Sequence, residues 1–308
     1  MRQRPSHALL AALAGAVGLL VTGLVAFRWP LVRAHDAASL AGFVALSSHP
    51  RLHGLANVIA NSVDPLPYSA VGLVLAVIAV LRRRWLLAVV VPLTMFCASA
   101  TTELLKPIVG QVRYSDWFGP GHQIAAASWP SGHATAAMTL GLCAVLVAPA
   151  VARPIVAVLG CALAIGVSYS ILILHWHFPS DVLGGYLVAA VWVSLAIAVL
   201  WWGQERWPVR DEPAAETLRV DVLFVPLAAL GLVIGGAFGL LLVSTRIAAT
   251  YASVHASLLV GAVLIALLAA LLAASVTVAM RPSVPATAGG SDPVPRATPH
   301  PGLPRARV

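Results

Sequence analysis

Charge is scarce in this chain. Of 308 residues only 10% are charged and only 11 are acidic, whereas 60% are hydrophobic. That balance excludes an ordinary soluble domain and fits a membrane protein with several spans. Cysteine is scarce too: Cys97, Cys143 and Cys161 each lie within an apolar run, where the thiol packs as a small hydrophobe. Neither a disulfide framework nor a cysteine-based metal site is expected. Lysine is nearly absent. Lys106 stands alone, every other cation among the 19 Lys and Arg residues being an arginine, so its position is singled out for function. The chain also lacks an internal repeat and a pair of Gly/Pro-broken helices recurring in two halves, which argues against a transporter. The net charge of +8 does not indicate a nucleic-acid partner, because the basic residues sit at helix ends and form neither a face nor a run.

What is present is apolar sequence. Runs long enough to cross a bilayer, or nearly so, cover residues 8–27, 67–81, 85–105, 134–150, 154–174, 182–202, 220–243 and 253–279. They predict an all-α fold, a polytopic membrane helical bundle of about eight transmembrane helices. The arginines set its orientation. With the N-terminus in the cytoplasm, Arg2, Arg4, the Arg82-Arg83-Arg84 turn, Arg153, Arg206, Arg210, Arg219 and the tail arginines fall inside; Arg28, Arg33, Arg51, Arg246, Lys106 and Arg113 fall outside. This arrangement obeys the positive-inside rule and places both termini in the cytoplasm. Arg2 and Arg4 ahead of an apolar run resemble a signal peptide, but the run is longer than an h-region and no cleavage box follows. An uncleaved first helix is expected.

The expected organisation is a transmembrane core over residues 1–205, a charged cytoplasmic linker over 206–219 and two additional transmembrane helices within 220–280. A disordered Pro-rich tail over 281–308 follows. Residues 35–66, with His35, Asp36, His49, Arg51, His53, Asn61 and Asp64 among short apolar patches, read as amphipathic segments on the outer membrane surface. Their histidines have no ligand spacing and read as solvated. Tyr114 to Trp129 reads as an outer loop over the site.

Polar groups beside a bilayer are costly unless paired or functional. Four clusters interrupt the apolar pattern where runs begin or end: Lys106 with Arg113, the run Pro130-Ser131-Gly132-His133, the pair His175 and His177, and Asp181. Together they offer the parts for metal-free cleavage of a phosphate ester. His177 can attack phosphorus as a neutral imidazole, with Asp181 holding its other nitrogen. His133 can protonate the leaving oxygen. Ser131 is an N-cap, and the free N–H groups after Ser131 and Gly132 make an anion site. Lys106 and Arg113 can address the same phosphate. Glu103, three residues before Lys106, shares its helix face and can pair with it. His175 reads as a boundary histidine packed beside Trp176.

In order and spacing, Lys-x6-Arg (Lys106, Arg113), Pro-Ser-Gly-His (Pro130 to His133) and Ser-x6-His-x3-Asp (Ser170, His177, Asp181) resemble the three-part signature of the PAP2 (type 2 phosphatidic acid phosphatase) superfamily, over roughly residues 60–200. The resemblance implies a six-helix core within the bundle and hydrolysis of a lipid phosphate or diphosphate at the outer leaflet, without metal or other cofactor. His177, His133 and Asp181 would be catalytic, with a phosphohistidine on His177; Lys106, Arg113, Ser131 and Gly132 would bind phosphate. The implied partners are the lipid phosphate and the surrounding membrane lipids. Two positions depart from the family pattern. Arg113 is followed by Tyr114 where the family has proline, and Ile171 stands where an arginine is expected. The second departure removes a phosphate contact and keeps a rival open, a non-catalytic phospholipid-binding or lipid-translocating protein on the same scaffold. If the site is a working phosphatase lacking one phosphate clamp, Ile171→Arg is expected to supply a cation one and a half turns before His177 and to raise turnover.

Overall fold

The computed structural model describes residues 4–109, 124, 128–206 and 256–281. Helices α1 (Pro5–Arg28), α2 (Pro30–Ala45), α3 (Pro50–Asn61), α4 (Pro65–Leu81), α5 (Trp85–Val109), α6 (Gly132–Val147), α7 (Arg153–Ile173), α8 (Pro179–Arg206) and α9 (Ala256–Ala279) account for nearly all of them, with one 3-10 turn at Leu46–Ser48. Pro5, Pro30, Pro50, Pro65 and Pro179 each open a helix, where the missing N–H forfeits no bond and the fixed φ is already helical.

Among the described residues α1, α5, α7, α8 and α9 are long and apolar enough to cross a membrane, and α3 with α4, bent by 50° at their junction, make a sixth if the pair counts as one span. The fold is therefore the expected all-helical membrane bundle. Seven of the expected apolar runs coincide with these helices; the run 220–243, the linker beyond Arg206, Arg113 and the tail beyond Arg281 lie outside the described residues.

Helix α6 is the centre. Its 16 residues are short for a span, but nearly all of them are buried against α5, α7 and α8. Its crossing with α7 depends on two glycines: a Cβ on Gly141 would stand 2.8 Å from the Gly160 Cα. Small residues at such crossings let backbones approach where the bilayer offers no hydrophobic drive for association. Leu9, Leu13, Leu20 and Leu24 of α1 and Leu73, Val77 and Phe96 of α4 and α5 are exposed, a belt suited to lipid.

The first part of the segment 35–66 departs from its expected place on the surface. Helix α2 packs against α9, α7 and α1 and buries Asp36, Ala37, Leu40 and Phe43. Its apolar face is covered by protein because α9 returns to that side of the bundle. Helix α3 packs on α7 and remains mostly exposed.

The two ends of the bundle differ in chemistry. At one end, the Arg82 guanidinium donates to the Val147 carbonyl at 2.5 Å. There too, Arg153 donates to the carbonyls of Ala148 and Met280, so arginines tie together the ends of α4, α6, α7 and α9. The other end gathers the four polar clusters.

Candidate active site

The C-terminal ends of α5 and α7 and the N-terminal ends of α6 and α8 meet at that second end. Ser131 is the N-cap of α6, as its sequence predicts: its hydroxyl accepts from the Ala134 amide at 3.3 Å and is fully buried. The Trp129–Pro130 peptide before it is cis. The Ser131 amide donates to the Asp181 carbonyl at 3.0 Å. Thr135 Oγ1 reaches both the Ser131 carbonyl, at 2.8 Å, and the Gly185 carbonyl, at 3.1 Å. Pro-Ser-Gly-His and the start of α8 are thus one hydrogen-bonded unit. Gly185 permits it, since a Cβ there would lie 2.6 Å from the Ser131 carbonyl oxygen.

His177 reaches this unit through a helix ending of defined geometry. The Trp176 amide bonds to the Ile171 carbonyl at 2.9 Å and the His175 amide to the Leu172 carbonyl at 3.0 Å, with His175 at φ 62°. This is a Schellman ending with a histidine in the left-handed position usually given to glycine, a conformation costing roughly 1–2 kcal/mol. The role of His175 is to turn the chain, in keeping with its reading as a boundary residue. His177 Nδ1 then stands 3.4 Å from Asp181 Oδ2, longer than a formed hydrogen bond. Asp181 is fully buried, and its Oδ2 accepts from the Phe178 amide at 3.0 Å. Its carboxylate is therefore held at the start of α8, where the helix dipole also favours a negative charge.

Lys106 ends beside motif two: a Cβ on Gly132 would lie 3.6 Å from Lys106 Nζ. The expected pairing with Glu103 is present, Nζ to Oε1 at 2.5 Å. His133 stacks obliquely on Trp176, ring centroids 5.4 Å apart. The structure thus brings Lys106, Ser131, Gly132, His133, His177 and Asp181 to one end of the bundle. Arg113 lies outside the described residues. Ile171 is 0% exposed within the apolar core.

Two carboxylates join the site that sequence reasoning placed in a surface connection. Asp64 Oδ1 lies 3.2 Å from His133 Nε2. Asp36 takes the Ser180 amide at 2.9 Å and the Ser180 hydroxyl at 2.6 Å, capping α8 beside Asp181. The signal at Asp64 was an Asp-Pro pair, which reads as an ordinary N-cap; the one at Asp36 was a lone acid in an apolar stretch.

A cavity of about 570 Å³ opens between α4, α5 and α6. Its polar end carries Asp64, Glu103, Lys106, Gly132 and His133, and its walls continue through Tyr68, Leu73, Pro92, Met95 and Phe96. His177 is not among its lining residues.

The helical membrane architecture and the motif set define a class, and the comparisons agree with it. Residues 85–206 match the family model of the PAP2 superfamily, the segment that holds α5 to α8 and all of the motif residues. The resemblance drawn from the motifs is borne out there. The chain is similar in fold to the crystal structure of a transmembrane PAP2-type phosphatidylglycerolphosphate phosphatase from Bacillus subtilis. The TM-score is 0.51 and the identity 21%, over 65% of this chain and 98% of that one. No curated protein matches the chain by sequence.

Proposed function

We propose that the chain is an integral membrane phosphatase that hydrolyses a lipid phosphate or diphosphate. The cavity carries this reading: one end presents His133, Lys106 and the free N–H groups at the start of α6, and the rest is apolar. A phosphate head fits the first part and an acyl or prenyl chain the second. A soluble phosphate ester would leave the apolar walls wetted.

The chemistry follows from the placement of each group. Asp181 beside Nδ1 of His177 leaves Nε2 to attack phosphorus. The P–N bond forms as the bond to the leaving oxygen breaks, and His133 gives that oxygen a proton. Water then attacks the phosphohistidine and releases phosphate, with His133 taking the water proton. Lys106, Arg113 and the amides after Ser131 and Gly132 bind the non-bridging oxygens, where charge stabilisation is usually the largest contribution. No metal is needed to complete this set, so activity is expected to survive chelation and to be blocked by vanadate. Polyprenyl diphosphates, phosphatidic acid and phosphatidylglycerophosphate all fit the chemistry. The excess of arginine at the opposite end of the bundle supports an extracytoplasmic site at the outer leaflet.

The isoleucine at position 171, where the family pattern has an arginine, favours one rival. With no arginine there, the site has one phosphate clamp fewer, as a lipid-binding or lipid-translocating protein on this scaffold would. Purified chain assayed against these lipid phosphates separates the two. The phosphatase releases phosphate and loses it in His177→Ala; the binding protein retains lipid phosphate and releases none.

A further inference from the structure

The break between α3 and α4 has no place in the three motifs and lies outside the matched segment 85–206. Asp64 stands at that break, directly before Pro65. An aspartate at this position ordinarily caps its own helix. Here it makes no side-chain cap bond. Its carboxylate instead meets Nε2 of His133 at 3.2 Å, across 69 residues of sequence. Both groups line the same cavity, and the two helices meet at a 50° bend. The chain thus gives up a local hydrogen bond worth about 1 kcal/mol to place a carboxylate on a histidine.

We propose that Asp64 is the positioning residue of the general acid, a role that rests on the phosphatase reading above. By accepting from Nε2–H it fixes the ring and supports the doubly protonated imidazolium against the burial and the neighbouring His177 that disfavour it. The proton given to the leaving oxygen then departs from Nδ1, and the neutral ring keeps Nε2–H on Asp64. Two histidine–carboxylate pairs therefore serve opposite ends of one displacement. Asp181 keeps His177 ready to form the P–N bond, and Asp64 keeps His133 ready to protonate the oxygen whose bond to phosphorus breaks.

The leaving group provides the test. An alkyl oxygen, as in dioleoyl phosphatidic acid, must be protonated as it departs; the nitrophenolate of p-nitrophenyl phosphate need not be. The full chain is purified as parent, Asp64→Asn, Asp64→Ser and Asp64→Glu, and kcat and KM are measured for both substrates alongside Tm. Asp64→Asn and Asp64→Ser are expected to lower kcat on phosphatidic acid by about 10- to 100-fold, with KM nearly unchanged. In kcat/KM, which ends at formation of the phosphohistidine and so excludes the water step that His133 also serves, the loss on the aryl phosphate should be less than about threefold, and Asp64→Glu should recover part of the deficit on phosphatidic acid. An equal loss on both substrates, or a change in KM alone, would overturn the role of Asp64 while leaving the phosphatase intact. A parent that releases phosphate from neither substrate would overturn both.

Discussion

The amide of Ser131 donates to the carbonyl of Asp181 at 3.0 Å, so the start of α6 and the carboxylate beside His177 are fixed to one another by main-chain atoms. Preorganisation of this kind matters because charge stabilisation in the transition state depends on donors that do not have to move. Thr135 reinforces the joint from one side and Gly185 makes room for it from the other.

Gly185→Ala tests that joint. The added Cβ would meet the Ser131 carbonyl oxygen at 2.6 Å and the Thr135 amide at 3.0 Å, and backbone atoms cannot swing aside. A destabilisation of about 1–3 kcal/mol is expected, read as a lower Tm in detergent, with kcat falling more than KM changes. A variant with parental Tm and kcat would show that α6 and α8 are not tightly joined.

Ile171→Arg is expected to fail as a repair. The side chain it replaces is fully buried among apolar residues, and burying an arginine's charge among them would cost several kcal/mol. Lower Tm and no gain in turnover should follow. A stable variant with faster turnover would mean that position 171 faces the phosphate after all.

Glu103→Gln acts on the other cation. Glu103 holds Lys106 at 2.5 Å, but its side chain is 66% exposed, and exposed pairs contribute about 1 kcal/mol or less. Removing the carboxylate's charge frees the ammonium for phosphate, so KM is expected to fall by no more than about fivefold with kcat nearly unchanged. A large loss of activity would instead give Glu103 a chemical role. Lys106→Ala, by contrast, should cost far more than Glu103→Gln changes.

Much of this was legible in the chain. Membrane helices announce themselves by length and hydropathy, and the capping role of Ser131, the pairing of Glu103 with Lys106 and the gathering of the motif residues at one end all follow from local rules. What escaped was tertiary. Asp64 before Pro65 has the signature of a simple cap, and only the fold brings it to His133, across 69 residues of sequence. Asp36 looks solvated until α9 covers α2 and Ser180 arrives from 144 residues away. Ile171 differs from the family pattern on paper, but its burial depends on how α7 rotates in the bundle.

Orientation can be read by thiol labelling. Ser62 is exposed beside Asp64, and Gln204 is exposed at the arginine-rich end. In a background with Cys97 replaced by alanine, Ser62→Cys is expected to react with an impermeant maleimide in intact cells, and Gln204→Cys only after lysis. The reverse pattern would turn the protein over in the membrane.

The phosphoenzyme tests the central claim most directly. Purified chain is mixed with lipid phosphate labelled in its phosphoryl group, quenched in alkali during turnover and examined for protein-bound label. The parent is expected to carry an acid-labile, alkali-stable phosphoryl group on His177, and His177→Ala to carry none and release no phosphate. Turnover without any labelled protein, or turnover that survives His177→Ala, would contradict a phosphohistidine mechanism at this site.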